Sequence, residues 1–302
     1  MQSPSDIVPF IFYIITFVAG LLGNMSILTL NILDWMKSLD LTSCDLIVSG
    51  LGVSNICLQF AFFASYLCSL INLEFFQRHA VQYFLTSKCF FDLLSLWITT
   101  WLCLYYCVRI VNCSWPPFLW VKEKFSKMVP WLILYSTIVS LAISLPRIWD
   151  FLRVTSANST LNISSNSTPT NQMTDSSSNI LFVTHLTVSL LAFTGMVLSA
   201  VIIITSLHMH MKKMARGSDG FRSPQTDAHL GAIKTVSLLL ILYILFYTSQ
   251  SFLILRVVKR GEKAYIACTC VVSIFPTLNS LILIMGSSRL KNGLVQALLH
   301  VK

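Results

Sequence analysis

Few side chains in this sequence are placed to do chemistry, and they fall into four groups. Lys88 and Asp92 stand four apart in an apolar stretch, a spacing that lets them pair on one helix face. Trp97, Trp101 and Tyr105 recur every four residues, so on a helix they form one aromatic stripe, a packing surface or a ligand wall. The run HMKKMARGSDGFRSPQTDAHLGAIK, residues 210–234, sets Lys212, Lys213, Arg216, Arg222 and Lys234 against only Asp219 and Asp227. Such a cluster attracts anionic lipid headgroups or an acidic protein face. Asn158, Asn162 and Asn166 each open an Asn-X-Ser/Thr glycan acceptor in a Ser-rich tract.

The remaining reactive groups do not assemble into a catalytic set. No two carboxylates are spaced for acid–base work, and there is no Ser/His/Asp constellation or glycine-rich phosphate loop. His208 and His210 read as a solvated pair at a helix end, and Cys268-Thr-Cys270 is not a zinc spacing. The nine cysteines fall mostly in apolar runs, where a free thiol packs as a small hydrophobe. The reading is therefore of a protein that is not an enzyme, with no metal and no cofactor.

The elements that must position these groups follow from hydropathy. The chain of 302 residues is 55% hydrophobic and 11% charged, with a mean hydropathy of +0.73. Seven apolar runs, roughly 7–33, 46–70, 81–111, 129–148, 180–207, 235–255 and 264–286, are long enough to cross a bilayer core of about 30 Å. In hydrocarbon the backbone must satisfy itself, so each run is expected to be a helix. The third is the weakest, because Lys88 and Asp92 interrupt it; Asp45 and Asp92 are expected near the membrane faces, and Pro146 to close the fourth. The start MQSPSDIVPF lacks a basic leader, so the first span is expected to be an uncleaved anchor. The fold class is thus all-α, one seven-transmembrane helix bundle.

Charge and acceptors set the expected orientation. With the N-terminus outside, the inner segments hold 13 Lys and Arg, among them Arg109, Lys122 and Lys234, against 8 outside. Asn158, Asn162 and Asn166 then lie in an outer, glycosylated second extracellular loop, 149–179, while 208–234 is a basic third cytoplasmic loop. The net charge of +9 needs no nucleic acid to explain it, since membrane surfaces attract it equally.

Several segments carry a family resemblance. Lys212-Lys213-Met214, Gly220, Arg222, Pro224, Thr226, Ala228-His229, Ala232 and Lys234 resemble the inner-loop pattern H-x-K-x-M then G-x-R-D-P-S-T-x-A-H-x-x-A-x-K of the type 2, or bitter, taste receptors, with Ser223 for Asp and Gln225 for Ser. Residues 23–54, LYYCVRIVNCSWPPFLWVK (104–122), KTVSLLLILYILFY (234–247) and FPTLNSLILIMGSSRLK (275–291) are similar to the same family in the same order. No Asp-Arg-Tyr closes the third span and no Asn-Pro-x-x-Tyr the seventh, so rhodopsin-like receptors fit less well. Asn55 stands where the family has Arg, Asn279 where it has His, and Thr269 where some relatives have Glu, which marks a divergent member.

The resemblance implies a multi-pass plasma-membrane receptor for bitter small molecules that signals through a gustducin or Gi-type heterotrimeric G protein. It assigns Trp97, and more weakly Trp101, Tyr66, Tyr247 and Thr269, to the ligand pocket, and leaves Tyr105 as core. For Asp92, the Lys88 ion pair is preferred over contact with a cationic ligand. Tyr106, Arg109, Lys122, His229 and Lys234 are expected where the G protein enters, with membrane lipid, including sterol, as a further partner. Another chemosensory receptor of the vomeronasal type 1 kind and a small transporter are the alternatives, and neither accounts for the A-H-x-x-A-x-K loop.

Overall fold

The computed structural model describes residues 4–38, 42–70, 74–111, 116–161, 170–216, 224–255, 257–258 and 262–300, with only the backbone described at several helix ends. Among them all regular structure is helical: α1 Pro4–Ser38, α2 Ser43–Leu70, α3 Glu74–Ile110, α4 Pro116–Leu161, α5 Thr170–Arg216, α6 Pro224–Ile254, α7 Lys263–Gly286 and α8 Ser288–His300. Helices α1 to α7 each carry a stretch long and apolar enough to cross a membrane. Large apolar side chains such as Leu22, Trp131, Leu191 and Met285 are more than 60% exposed, as expected of surfaces that meet lipid.

Helix α3 is the axis of the bundle. It packs against α2, α4, α5 and α6. Of its most apolar stretch 72% is buried, against 22% for that of α4. Ser and Thr hydroxyls on the outer faces donate back to their own helix, as in Ser26 to the Leu22 carbonyl at 2.7 Å and Thr187 to that of Val183 at 2.8 Å. Hydrocarbon offers no other acceptor there.

A buried polar ladder joins α1, α2, α3, α6 and α7. Asn24 Nδ2 donates to the Gly20 carbonyl at 2.8 Å and to the Pro276 carbonyl at 3.3 Å. Asn55 Nδ2 reaches Asn24 Oδ1 at 3.3 Å, Ser95 Oγ donates to Asn55 Oδ1 at 3.2 Å, and the Tyr243 hydroxyl bonds Ser95 at 3.0 Å and Thr99 at 2.9 Å. Beside it, Thr277 donates to the Thr16 carbonyl at 2.7 Å and accepts from Gln59 at 3.3 Å. Gly20 permits this approach, because a methyl group there would collide with the Gln59 amide and the Thr277 hydroxyl.

The helices differ from the expected spans in four places. Helix α4 starts at Pro116, well before residue 129, and runs through Pro146. Pro146 therefore does not end it: a proline removes one backbone donor, which a membrane helix tolerates. The segments 149–179 and 208–234 are helical at both ends, since α4 reaches Leu161, α5 begins at Thr170 and ends at Arg216, and α6 begins at Pro224. A proline suits the first position of a helix, where its missing donor is not needed. The amphipathic α8 was not anticipated; its Leu290 is buried and its Gly293 lies against Leu30 of α1.

Candidate ligand site and basic rim

The α3 stripe divides by depth. Trp97 is 8% exposed, stacks on Trp101 at 5.6 Å and 28°, and meets the edge of Tyr135 of α4 at 6.4 Å. Trp101 gives its indole N–H to Ser136 Oγ at 2.8 Å. Trp97 Nε1, equally buried, has no hydrogen-bond partner among the described residues. Tyr105 is core, as expected: it packs on Tyr106 and Phe125, and its hydroxyl accepts from Arg109 Nε at 3.2 Å.

Trp97 has company. Ser140 and Ser144 continue the Ser136 face of α4 at four-residue spacing, both buried, both with unpartnered hydroxyls. Among the described residues His185 of α5 is buried with neither ring nitrogen bonded, and Arg147 Nε and Asp92 Oδ1 are likewise without a partner; the Tyr247 hydroxyl of α6 lies beside that of Ser189 of α5. Tyr247 stacks on Tyr243 at 6.3 Å and meets Phe246 edge-on at 5.3 Å. Trp97, Trp101, Ile143, Val188, Phe193, Phe246 and Tyr247 belong to one apolar cluster. Helix α5 is held to α3 by Thr100, which donates to the Ala192 carbonyl at 3.0 Å. Natural proteins rarely leave buried polar atoms unpaired, and such a concentration marks a place for water or a ligand.

The ion pair beside this region is built by α3 and α6. Lys88 lies 3.8 Å from Asp92 Oδ2, as the spacing predicted. Gln250 of α6 bridges them, accepting from Lys88 at 3.0 Å and donating to Asp92 Oδ2 at 3.0 Å. Asp92 is only 1% exposed, and its two partners hold it inside the bundle. Arg147 lies within charge–charge reach of both Asp92 and His185, and its carbonyl accepts from Gln82 at 3.4 Å.

The other expected ligand residues are placed less centrally. Thr269 spends its hydroxyl on the Tyr265 carbonyl of its own helix at 2.8 Å. The Tyr66 side chain, and those of Asn158 and His229, lie outside the described residues, as do Asn162 and Asn166 altogether. Sequence reasoning missed Ser140, Ser144, Arg147, His185 and Gln250. Two signals were available: a serine every fourth residue in an apolar span, and a histidine in another.

At the opposite end, where α1 and α3 finish, the bundle is cationic and well partnered. Arg109 is exposed and lies over the Tyr105 ring at 5.6 Å, Tyr106 and Lys122 are half-buried, and Lys234 is exposed. Arg289 of α8 donates to Asp45 Oδ2 at 3.0 Å, pairs with Asp45 Oδ1 at 2.6 Å and Asp34 at 3.4 Å, and bonds Asn31 Oδ1. Asn31 in turn donates to Ser49 at 2.8 Å, so α1, α2 and α8 are tied together. Among the described residues no three His, Cys, Asp or Glu side chains gather as a metal site.

Comparison with known sequences supplies a family context. The family model described as taste receptor protein matches residues 1–302. Taste receptor type 2 member 7 of Macaca mulatta is 31% identical over 293 residues, 93% of this chain and 89% of that one. Member 40 of Gallus gallus is 29% identical over 289 residues, 94% and 91% of the two chains. Member 1 of Chlorocebus aethiops is 31% identical over 297 residues, 98% and 97%.

Proposed function

The chain belongs to the taste receptor type 2 family, and from that premise we propose which of its residues bind the agonist and which signal. It is a multi-pass plasma-membrane receptor of the bitter-taste, G-protein-coupled class, and not an enzyme. The agonist is a small molecule held between α3, α4, α5 and α6, stacked against Trp97 and Trp101 and bonded by the polar groups around them. Tyr247 contributes from α6, with Tyr66 and Thr269 nearer the mouth. One observation carries this reading: Trp97 Nε1, which has no hydrogen-bond partner among the described residues, lies in an apolar cluster that also takes in Trp101, Ile143, Val188 and Tyr247.

The N-terminus faces outward, so the cationic end is cytoplasmic. Tyr106, Arg109, Lys122, His229 and Lys234 form the rim that receives a gustducin or Gi-type heterotrimer. Agonist contacts favour an outward position of α6, a population shift that exposes this rim. Asn158, Asn162 and Asn166 are the glycan acceptors on the outer side, and sterol joins the lipid around the bundle.

The test is calcium release in cells that express the chain with a promiscuous gustducin-like G protein, challenged with a panel of bitter compounds. The expected result is a response lost in Trp97→Ala and altered or lost in His229→Ala, with surface levels unchanged. A full response in Trp97→Ala would move the ligand elsewhere. Solute flux without G protein would favour the transporter alternative.

A further inference from the structure

The unpartnered groups of α3, α4 and α5, the helices that enclose Trp97, are not a neutral mixture. Trp97 Nε1 and Arg147 Nε can only donate, and a neutral His185 supplies one donor and one acceptor. The hydroxyls of Ser140 and Ser144 can turn either way. On these three helices the one described group that can only accept is Asp92 Oδ1, and that carboxylate already faces Lys88 at 3.8 Å and Gln250 at 3.0 Å. Charge leans the same way, since Lys88 and Arg147 are two cations beside one described carboxylate.

Resting on the reading of the Trp97 region as the ligand site, we infer that this receptor selects flat aromatic ligands that carry hydrogen-bond acceptors, a carboxylate or carbonyl, over aromatic amines. The acceptor lies between Trp97 Nε1 and the Arg147 and His185 side, and the ring stacks on Trp97. An anionic acceptor gains most, because a charged hydrogen bond is about twice as strong as a neutral one. An ammonium group in the same place leaves the indole and guanidinium N–H groups unpaired and meets a carboxylate that Lys88 has already neutralised. A site built to hydrogen-bond one partner rejects the analogue that cannot reciprocate.

The experiment uses the purified full chain in lipid nanodiscs and three size-matched probes: 2-naphthoate, 2-naphthamide and 2-naphthylmethylamine. Thermal stabilisation on titration gives binding, and calcium release in cells gives response. The naphthoate should bind best, then the amide, with the amine at least about tenfold weaker, the worth of one charge-assisted hydrogen bond. Arg147→Gln should weaken the naphthoate about tenfold and the amide less, while Trp97→Ala weakens both. Arg147→Lys, which keeps the charge but lacks Nε, should fall between and guards against a folding defect in Arg147→Gln.

The outcomes separate two failures. If the amine binds best, and loses affinity in Trp97→Ala and Asp92→Asn but not in Arg147→Gln, the site stands and its acceptor preference is overturned. If the naphthoate binds and neither Trp97→Ala nor Arg147→Gln matters, the site itself is wrong and the preference falls with it. Absence of binding by all three probes to a folded receptor also overturns the preference.

Discussion

Two arginines, at opposite ends of the bundle, use their donors in opposite ways. Arg289 is 42% exposed on its side chain, yet it binds Asp45 through both of its terminal nitrogens and also engages Asp34 and Asn31. Arg147 is partly buried, yet its Nε has no partner among the described residues. Solvation alone would suggest the reverse, because water can satisfy an exposed guanidinium and cannot reach a buried one. The contrast separates two jobs. Arg289 closes a joint between α1, α2 and α8, where intramolecular partners are the purpose. Around Arg147 several buried polar atoms have no partner among the described residues, as the proposed ligand site requires.

Removing the counter-ion from the ligand-side pair should have the largest effect. Lys88→Met leaves Asp92, whose side chain is fully buried, without its cation, and an uncompensated buried charge costs about 3–5 kcal/mol. Surface expression and thermal stability of the solubilised receptor should both fall sharply, and Lys88→Met with Asp92→Asn should recover most of the loss. A single variant as stable as the parent would mean that Asp92 is not charged in the bundle.

Next in size is Trp97→Ala, which removes the stacking surface and the unpartnered N–H together. Buried aromatic anchors contribute about 2 kcal/mol or more to binding, so agonist potency should drop about thirtyfold or further. Trp101→Phe sharpens the comparison, because its N–H is already bound to Ser136 at 2.8 Å. That change should disturb folding more than ligand recognition. Dose–response curves normalised to surface level distinguish the two, and equal potency losses would break the division drawn between bound and unbound donors.

The bundle was legible from sequence because seven apolar runs leave the backbone no alternative to a helix. What hid the rest was local composition. The beginning of α4 mixes Lys122, Glu123, Lys124 and Lys127 with Leu119, Trp120 and Phe125, so hydropathy is diluted where the helix has already begun. Helix α8, at 13 residues, is too short to be seen as a span, although Leu290, Leu294 and Leu298 repeat every four. In the site, the spacing of Lys88 and Asp92 gave their pairing, and resemblance singled out Trp97. The bridging partner of that pair, Gln250, could not be read beside it, because it lies 158 residues from Asp92 in sequence. That Trp101 has a partner and Trp97 has none is a fact of tertiary packing, which no pattern along α3 contains.

The ladder through Tyr243 lies between the two ends and should respond with intermediate size. Its hydroxyl is shared by Ser95 and Thr99 at 3.0 and 2.9 Å. Tyr243→Phe leaves both without that partner, for an expected loss of about 1–3 kcal/mol in stability. Because the ladder couples α6 to α3, basal signalling should change as well; unchanged basal activity together with lost stability would make it purely structural.

Arg289→Ala should have the smallest effect, despite removing the most contacts. Its partners Asp34 and Asp45 have side chains 45% and 16% exposed, and solvent-accessible ion pairs are worth about 0.2–1 kcal/mol each because water replaces them. The melting temperature of the solubilised receptor should therefore move little, and less at high salt, since screening weakens what remains. The geometry is better than that of an isolated surface pair, however, because both terminal nitrogens meet one carboxylate and Asn31 links the same group to α2. A loss as large as that of Lys88→Met would show that the α1–α2–α8 joint is as integral to the bundle as the buried pair, and the contrast between the two ends would then lie in partner count alone. A small, salt-sensitive shift would leave it where the exposures put it: Arg289 trims the position of α8, and the free energy that matters for ligand and stability is held at the other end.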